Sequence, residues 1–434
     1  MADDLDPLAY LFGLGQFGMK FGLENIQTIV DGLGRPDRAF RSIHVAGTNG
    51  KGSVTAMLDT ALRAAGHRSA RYTSPHLVDL TERFAIDGRP VAHATLAGVV
   101  GELRDRIGAL VAGGALPAQP TFFEVTTAVA LELFRRAGVE VAVMEVGLGG
   151  RLDATNVITP VIAAITSIAF DHEKYLGTTL ASIAAEKAGI VKPGVPVVVG
   201  AMAPEASATI ERIATERGAP VVSAWDGVTI ERLSQPRGGP TRIRLRTPER
   251  DYGEMVVALR GAHQISNAVV AIRLLEGLAG TGIDVPAAAI VEGLAQVSWP
   301  GRLEHRSLPD GREAILDAAH NPAGAATLAT YLAETCTEKP PMVFAVMADK
   351  DVDRMFEVLL PAISALIITR SSFARSADAE SLAHKARAMA PDLPVLVNLN
   401  RSDAVAAAWE RSPQIVIAGS IFLLGDVMSE NSVS

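Results

Sequence analysis

Residues 47–53, Gly-Thr-Asn-Gly-Lys-Gly-Ser, combine the groups that hold a polyphosphate. Glycines at 47, 50 and 52 let the backbone approach an anion and adopt positive φ, which a Cβ disfavours. Lys51 adds a point charge, and Thr48, Asn49 and Ser53 add polar side chains. A short strand precedes the loop (Ile43, His44, Val45), and Val54, Ala56, Met57, Leu58, Ala61 and Leu62 follow it at helical spacing. Strand, glycine turn and helix start aim backbone N–H groups and a helix dipole at a phosphate. The usual phosphate-loop pattern wants glycine at position 45 and a hydroxyl directly after the lysine. Here Val45 and Gly52 occupy those places, and the hydroxyl comes one residue later at Ser53. Such a turn also serves as a plain strand–helix connection; Lys51 on the first helical turn favours nucleotide phosphate.

The segments around this loop must form a sheet that carries it. Apolar runs at 69–72, 139–145, 161–168 and 195–199 alternate with helical patterns at 102–112, 121–136, 180–188 and 204–217. That alternation is the parallel α/β pattern. Thr121 with Glu124 three residues on is a capping box opening one of these helices. Residues 77–91 read as irregular, and the alternation around Thr241-Arg242-Ile243-Arg244-Leu245 predicts antiparallel strands at the sheet's margin. Ser298-Trp299-Pro300-Gly301-Arg302 reads as a linker, after which strands at 314–317, 342–345, 365–369, 394–397 and 415–418 resume with helices between them. Two α/β domains are therefore expected: residues 1–297, a mostly parallel sheet bearing the phosphate loop, and 298–434, a smaller Rossmann-like unit.

In open parallel sheets, ligands sit beyond the carboxyl ends of the strands. Ser74, Glu145, Asp171 and His172 all fall there, on the nucleotide's edge. A hydroxyl and carboxylates beside phosphate suit Mg²⁺, a hard ion that takes one or two protein carboxylates plus phosphate oxygens. Histidine is an uncommon Mg²⁺ ligand, so a structural role for His172 stays open, as does a plain surface role for Glu145.

Composition narrows the partner. The 434 residues are 48% hydrophobic and 20% charged, a packed chain rather than a disordered one. Net charge is −8 and no basic tract is dense enough for nucleic acid; Arg35, Arg38 and Arg41, and Arg242, Arg244 and Arg246, read as solvated faces. The longest nearly apolar run, 161–170, includes Thr166 and Ser167 and falls short of the ~20 residues a membrane helix needs. The acidic start shows no basic segment followed by an apolar core, so no secretory signal is expected. Cys336, the one cysteine, excludes internal disulfides and fits a reducing cytoplasm. A small molecule is the expected partner, with no nucleic acid and no membrane.

GTNGKGS at 47–53, TSPHL at 73–77, EVGLGGRLDATN at 145–156, DHEKYLG at 171–177 and AAEKAGIVKPG at 184–194 resemble, in that order, the Mur ligase superfamily. So do HQISNA at 263–268, WPGRLE at 299–304, LDAAHNP at 316–322 and AGSIFLLGDV at 418–427. Within it they are most similar to the dihydrofolate synthase and folylpolyglutamate synthase family, over residues 10–427. The resemblance implies a Mur ligase-like ATP-binding domain followed by a ligase domain. It implies that ATP phosphorylates an acceptor carboxylate and that the amine of L-glutamate displaces phosphate from the acyl phosphate. By resemblance ATP contacts residues 47–53, Asn267, Arg302 and Asp317, while Ser74, Glu145 and His172 hold Mg²⁺. Lys187, by itself an ordinary helix-end cation, corresponds to a lysine carbamylated in the family that helps hold a second ion. A monovalent cation is a further implied cofactor. Asp317 and His320 are placed near the reaction, with Lys51 and Lys187. Thr121, Phe122, Phe123 and Glu124, with Leu152, Asp153 and Ala154, match the pteridine pocket; either phenylalanine is equally a core residue. The implied enzyme is a cytoplasmic monomer that adds glutamate to dihydropteroate and to reduced folates, closing about Pro300 and Gly301. A monofunctional folylpolyglutamate synthase, a cell-wall Mur ligase and a nucleotide-regulated binding protein without ligase chemistry are the alternatives.

Overall fold

The computed structural model describes residues 6–17, 22–234 and 238–430. The first five residues of the acidic start, and residues 18–21 of the opening segment, lie outside them.

The first sheet has eight strands: β1 (Arg41–Ala46), β2 (Ser69–Tyr72), β3 (Phe84–Ile86), β4 (Arg89–Pro90), β5 (Val141–Glu145), β6 (Ile162–Ile165), β7 (Val197–Val199) and β8 (Val221–Ser223). Their order is β4-β3-β2-β5-β1-β6-β7-β8, parallel from β2 to β8. β1 is central, registered Val45 to Glu145 on one side and Ala46 to Ile165 on the other. Both faces of these strands are covered, hence their near-continuous apolar runs. The Lys51–Ala64, Ala262–Glu276 and Ala287–Gln296 helices share one buried cluster with β1, β5 and β6. The His93–Ala112 and Phe122–Arg136 helices build the other face.

Three local expectations change. The helix expected from 102 begins at His93. The stretch read as irregular contains β3, antiparallel to β2, and β4, antiparallel to β3 and joined to it by Asp87-Gly88, both at positive φ. That pair is the two-residue hairpin signal. Residues 225–260 do not extend the main sheet. β9 (Thr229–Ser234), β10 (Thr241–Arg246) and β11 (Asp251–Val257) form a separate antiparallel sheet. Its buried residues Ile243, Leu245, Met255 and Val257 pack against Ile290 and Leu294. The period-2 pattern reports one covered face and cannot say which sheet a strand joins.

The second sheet comprises β12 (Glu304–Ser307), β13 (Glu313–Asp317), β14 (Pro341–Phe344), β15 (Ala365–Ile368), β16 (Val395–Val397) and β17 (Gln414–Ala418). Its order is β12-β13-β17-β14-β15-β16, parallel except for the β12 edge. Helices cover both faces, giving two further apolar clusters. The α/β class is as expected, with a large mostly parallel sheet before the linker and a smaller one after it; the three-stranded sheet is the addition.

Candidate active site

The phosphate loop leaves β1 at Gly47 and enters the Lys51–Ala64 helix through Gly50, with φ +149° and +87° at these glycines. It is gripped by the residues after β6. Thr166 Oγ1 donates to Asn49 O at 2.6 Å, Ser167 Oγ lies 3.1 Å from Asn49 N as acceptor, and Thr48 N donates to Ser167 O at 2.8 Å. A Cβ at residue 47 would sit 1.9 Å from Thr166 Oγ1, so only glycine fits there. Two ammonium groups converge on one carbonyl: Lys51 Nζ and Lys187 Nζ each donate to Gly47 O at 3.0 Å, and Lys51 also reaches Thr48 O at 3.2 Å. Burial lowers the pKa of Lys51, opposed by the nearby carboxylates Glu145 and Asp171. Burial, reinforced by the charge of Lys51, brings Lys187 down to about 7.

The departures from the usual loop have a local cause. A Cβ at residue 52 would lie 2.9 Å from Trp299 Nε1 and 3.1 Å from the indole ring, which is itself covered by the Arg71 guanidinium. The linker's tryptophan therefore occupies the place of a side chain after the lysine. Ser53, one residue on, is engaged instead by Gln264 Nε2 at 3.2 Å, and Gln264 Oε1 accepts from Asn267 Nδ2 at 2.9 Å. Gly52→Ser, which restores the ordinary pattern, is expected to displace Trp299 and cost about 1–3 kcal/mol of stability, as overpacking does. Thermal unfolding checks it; an unchanged melting temperature would show that Trp299 moves freely.

Ser74 and Glu145 meet at the ends of β2 and β5, with Ser74 N donating to Glu145 Oε2 at 3.3 Å. Glu145 is only 5% exposed, and burial raises its pKa to about 7 against the pull of Lys51. A buried carboxylate whose desolvation Lys51, Arg302 and Arg83 do not fully offset fits a divalent cation beside phosphate. His172, at φ +51°, holds Nε2 3.5 Å from Lys350 Nζ and 3.8 Å from Asp171 Oδ1. Burial lowers its pKa to about 4, so the imidazole is neutral and able to ligate. Among the described residues, no three His, Cys, Asp or Glu side chains form a ready metal cage. Ions here would depend on phosphate oxygens for the rest of their shell.

The second domain closes the site. Asp317, at the end of β13, accepts from Leu303 N at 2.8 Å and Ala319 N at 2.9 Å, which fixes the chain around Arg302. Burial raises its pKa, opposed first by Arg302. His320 Nδ1 lies 2.8 Å from Ala318 O, so Nδ1 carries the proton and Nε2 faces Asp171 Oδ2 at 3.5 Å. Asn321 Nδ2 donates to Asn49 Oδ1 and to Asp171 Oδ2, each at 3.0 Å. Lys350 Nζ pairs with Asp171 Oδ1 at 2.6 Å, both side chains being nearly buried. Lys350 and Asn321 were not singled out from the sequence. Asn321 carried a usable signal, as an N-cap before proline; Lys350 carried none.

One cleft of about 420 Å³ is lined by residues 48–53, Ser74, Glu145, His172, Lys187, Asn267, Arg302, Asp317 and His320. The pteridine residues lie outside that lining. Phe122 has the Arg83 guanidinium over its ring at 5.2 Å, and Phe123 packs 6.0 Å from Tyr72. Phe123 also fills the space a side chain at Gly147 would need. Glu124 Oε2 is committed to Thr121 N and Oγ1, at 2.7 and 2.9 Å, in the expected capping box. Asp153 caps the one-turn helix Ala154–Val157, and Leu152 and Ala154 flank it.

The chain matches the Mur ligase middle domain over residues 45–275 and the Mur ligase glutamate ligase domain over residues 301–421. It is 38% identical over 377 residues to the dihydrofolate synthase/folylpolyglutamate synthase of Mycobacterium tuberculosis, covering 83% of this chain and 76% of that one. It is 32% identical to the Bacillus subtilis protein of the same name, over 97% of both chains. The M. tuberculosis folylpolyglutamate synthase solved with ADP and AMPPCP superposes with a TM-score of 0.89 at 35% identity, covering 98% of this chain and 99% of that one.

Proposed function

The chain belongs to the dihydrofolate synthase/folylpolyglutamate synthase family of the Mur ligases, and from that premise we propose that it uses ATP to join L-glutamate to dihydropteroate and to the γ-carboxylate of reduced folates. The observation that carries the reading is the single cleft in which the phosphate loop, buried Glu145 and His320 come together. The domains divide near residue 297, at the linker whose Trp299 rests on the loop.

ATP lies with its phosphates on the N–H groups of residues 47–53 and against Lys51, while Asn267, Arg302 and Asp317 hold the rest of the nucleotide. The acceptor carboxylate attacks the γ-phosphorus; a new P–O bond forms, the bond to the β-phosphate oxygen breaks, and ADP leaves. Glutamate's neutral amine attacks the acyl phosphate carbon, and the tetrahedral adduct expels phosphate and gives up an ammonium proton. Bringing two anions together is the physical obstacle, so positioning and positive charge do most of the catalysis. Ser74, Glu145 and His172 would hold Mg²⁺, which would supply charge neutralisation there. Phe122, Phe123 and Asp153 face the heterocycle, and one cysteine in the chain suits a reducing cytoplasm.

His320 takes the amine proton on Nε2, since Nδ1 is tied to Ala318 O. His320→Ala is expected to lower kcat by about 10²-fold, the low end for a general base, with nucleotide affinity unchanged. Equal kcat in the variant would remove His320 from proton transfer.

Lys187 becomes a carbamate: its neutral amine adds to CO₂, an N–C bond forms and a proton is released. With its pKa at about 7, the ammonium form dominates below that pH and blocks the addition. In labelled bicarbonate, a carbamate ¹³C resonance is expected to grow as pH rises through 7 and to be absent in Lys187→Arg. A resonance insensitive to that substitution would assign the carbamate elsewhere.

A further inference from the structure

A buried imidazole in the central strand has no part in the chemistry above. His44 lies in β1 between Met144 of β5 and Ala163 of β6, wholly excluded from solvent. Central parallel strands are covered on both faces and are ordinarily aliphatic, as Ile43, Val45 and Ala46 are. His44 breaks that rule, and its Nδ1 has no hydrogen-bond partner among the described residues. An unpaired buried nitrogen is unfavourable, so the other edge of the ring must account for the residue.

That edge meets the loop after Glu145. His44 Nε2 lies 2.9 Å from Thr155 Oγ1, and Thr155 Oγ1 donates to Asp153 Oδ1 at 2.5 Å. A hydroxyl has one proton. Having given it to the carboxylate, Thr155 accepts from His44, which sets the Nε2–H tautomer and leaves Nδ1 bare. Burial, with the charge of Lys192, pushes the imidazole down to about 3, so it stays neutral. Asp153 Oδ1 also accepts from Thr155 N at 3.0 Å, and Oδ2 accepts from Leu148 N at 2.8 Å. Leu148 and Gly147 line the cleft.

We infer that His44 is a positioning residue for the acceptor substrate: through Thr155 it orients Asp153 and the loop from Gly147 to Asp153 that receives the heterocycle. With Oδ1 taken by the hydroxyl and amide of Thr155 and Oδ2 by the amide of Leu148, the carboxylate is held in one rotamer, and Oδ2 is the oxygen left to meet an amino group of a flat ring. The inference rests on the reading of Asp153 as a contact to the folate or pteroate ring.

Steady-state kinetics with dihydropteroate and tetrahydrofolate test it on His44→Phe, His44→Gln, Thr155→Val and Asp153→Asn. His44→Phe keeps ring volume but has no donor, and Thr155→Val cuts the same link from its other end if His44→Phe folds poorly. Both are expected to raise the KM for either acceptor about tenfold, as loss of a buried hydrogen bond does, with the KM for ATP unchanged. His44→Gln, which restores a donor, is expected to recover most of that loss. Unchanged acceptor KM in the Phe and Val variants, equal impairment of Gln and Phe, or a matching rise in the KM for ATP would each overturn the inference. Asp153→Asn separates the two levels. If it raises acceptor KM while the His44 and Thr155 variants do not, only this inference falls. If it leaves acceptor KM unchanged, the substrate reading falls and the inference with it.

Discussion

Lys51→Met is expected to reduce kcat/KM for ATP by about 10²–10³-fold, the effect of removing one preorganised group that stabilises developing charge. The side chain is not a flexible surface cation. Its ammonium is fixed on Gly47 O and Thr48 O, buried, at the first turn of the helix whose N–H groups face the same anion. Its charge also steadies Glu145, whose carboxyl is pushed up to about 7 by burial even with Lys51 present. In the variant that group keeps its proton to higher pH, so activity should also need a higher pH. Initial rates of phosphate release across pH check both parts. A variant with wild-type kcat/KM would mean that the nucleotide phosphates lie elsewhere.

Lys350→Met is expected to be the most destabilising single change in the cleft, by about 3–5 kcal/mol, because it leaves a buried carboxylate without its cation. Asp171 is nearly buried after β6, and Lys350 reaches it from the second domain at 2.6 Å. Burial pushes the Asp171 carboxyl up, but hydrogen bonding to His320 when that ring is protonated, together with the charge of Lys350, outweighs it and holds the group below the usual carboxylate range. A carboxyl depressed in the folded state adds stability above its unfolded pKa of ~3.9, and that stability is lost as pH falls further. The melting temperature difference between wild type and Lys350→Met should therefore narrow on acidification. Turnover should fall by about 10²-fold, since an error of 1 Å in domain alignment suffices for that. Calorimetry at neutral and acid pH with parallel kinetics checks this; equal stability and turnover would show that the pair does not join the domains.

These two residues also mark what sequence can convey. Lys51 sits inside a contiguous strand–turn–helix pattern, where glycine spacing and apolar periodicity each point to the same local structure. Ser74, Glu145 and His172 were legible by a longer step, because each follows an apolar run and parallel strands present their carboxyl ends together. Lys350 pairs with Asp171 across 179 residues, and nothing in the surrounding Asp349-Lys350-Asp351 distinguishes it from a solvated charge cluster. Gly52 was visible as a departure, yet its cause, Trp299, lies almost 250 residues away in the linker. The three-stranded β9–β11 sheet shows the same limit: the alternation at 241–245 marked antiparallel strands but not the separate sheet they form. Local chemistry follows from local pattern, whereas pairings made by the fold require coordinates.

The central claim is ligation, and one measurement addresses it directly. Purified protein is incubated with ATP, Mg²⁺ and L-glutamate, with dihydropteroate or tetrahydrofolate as acceptor, and products are read by mass. The account predicts that each acceptor gains one glutamyl unit per ADP and phosphate released, with no gain when glutamate is withheld. ATP turnover without mass gain on either acceptor, or no turnover at all, would contradict it.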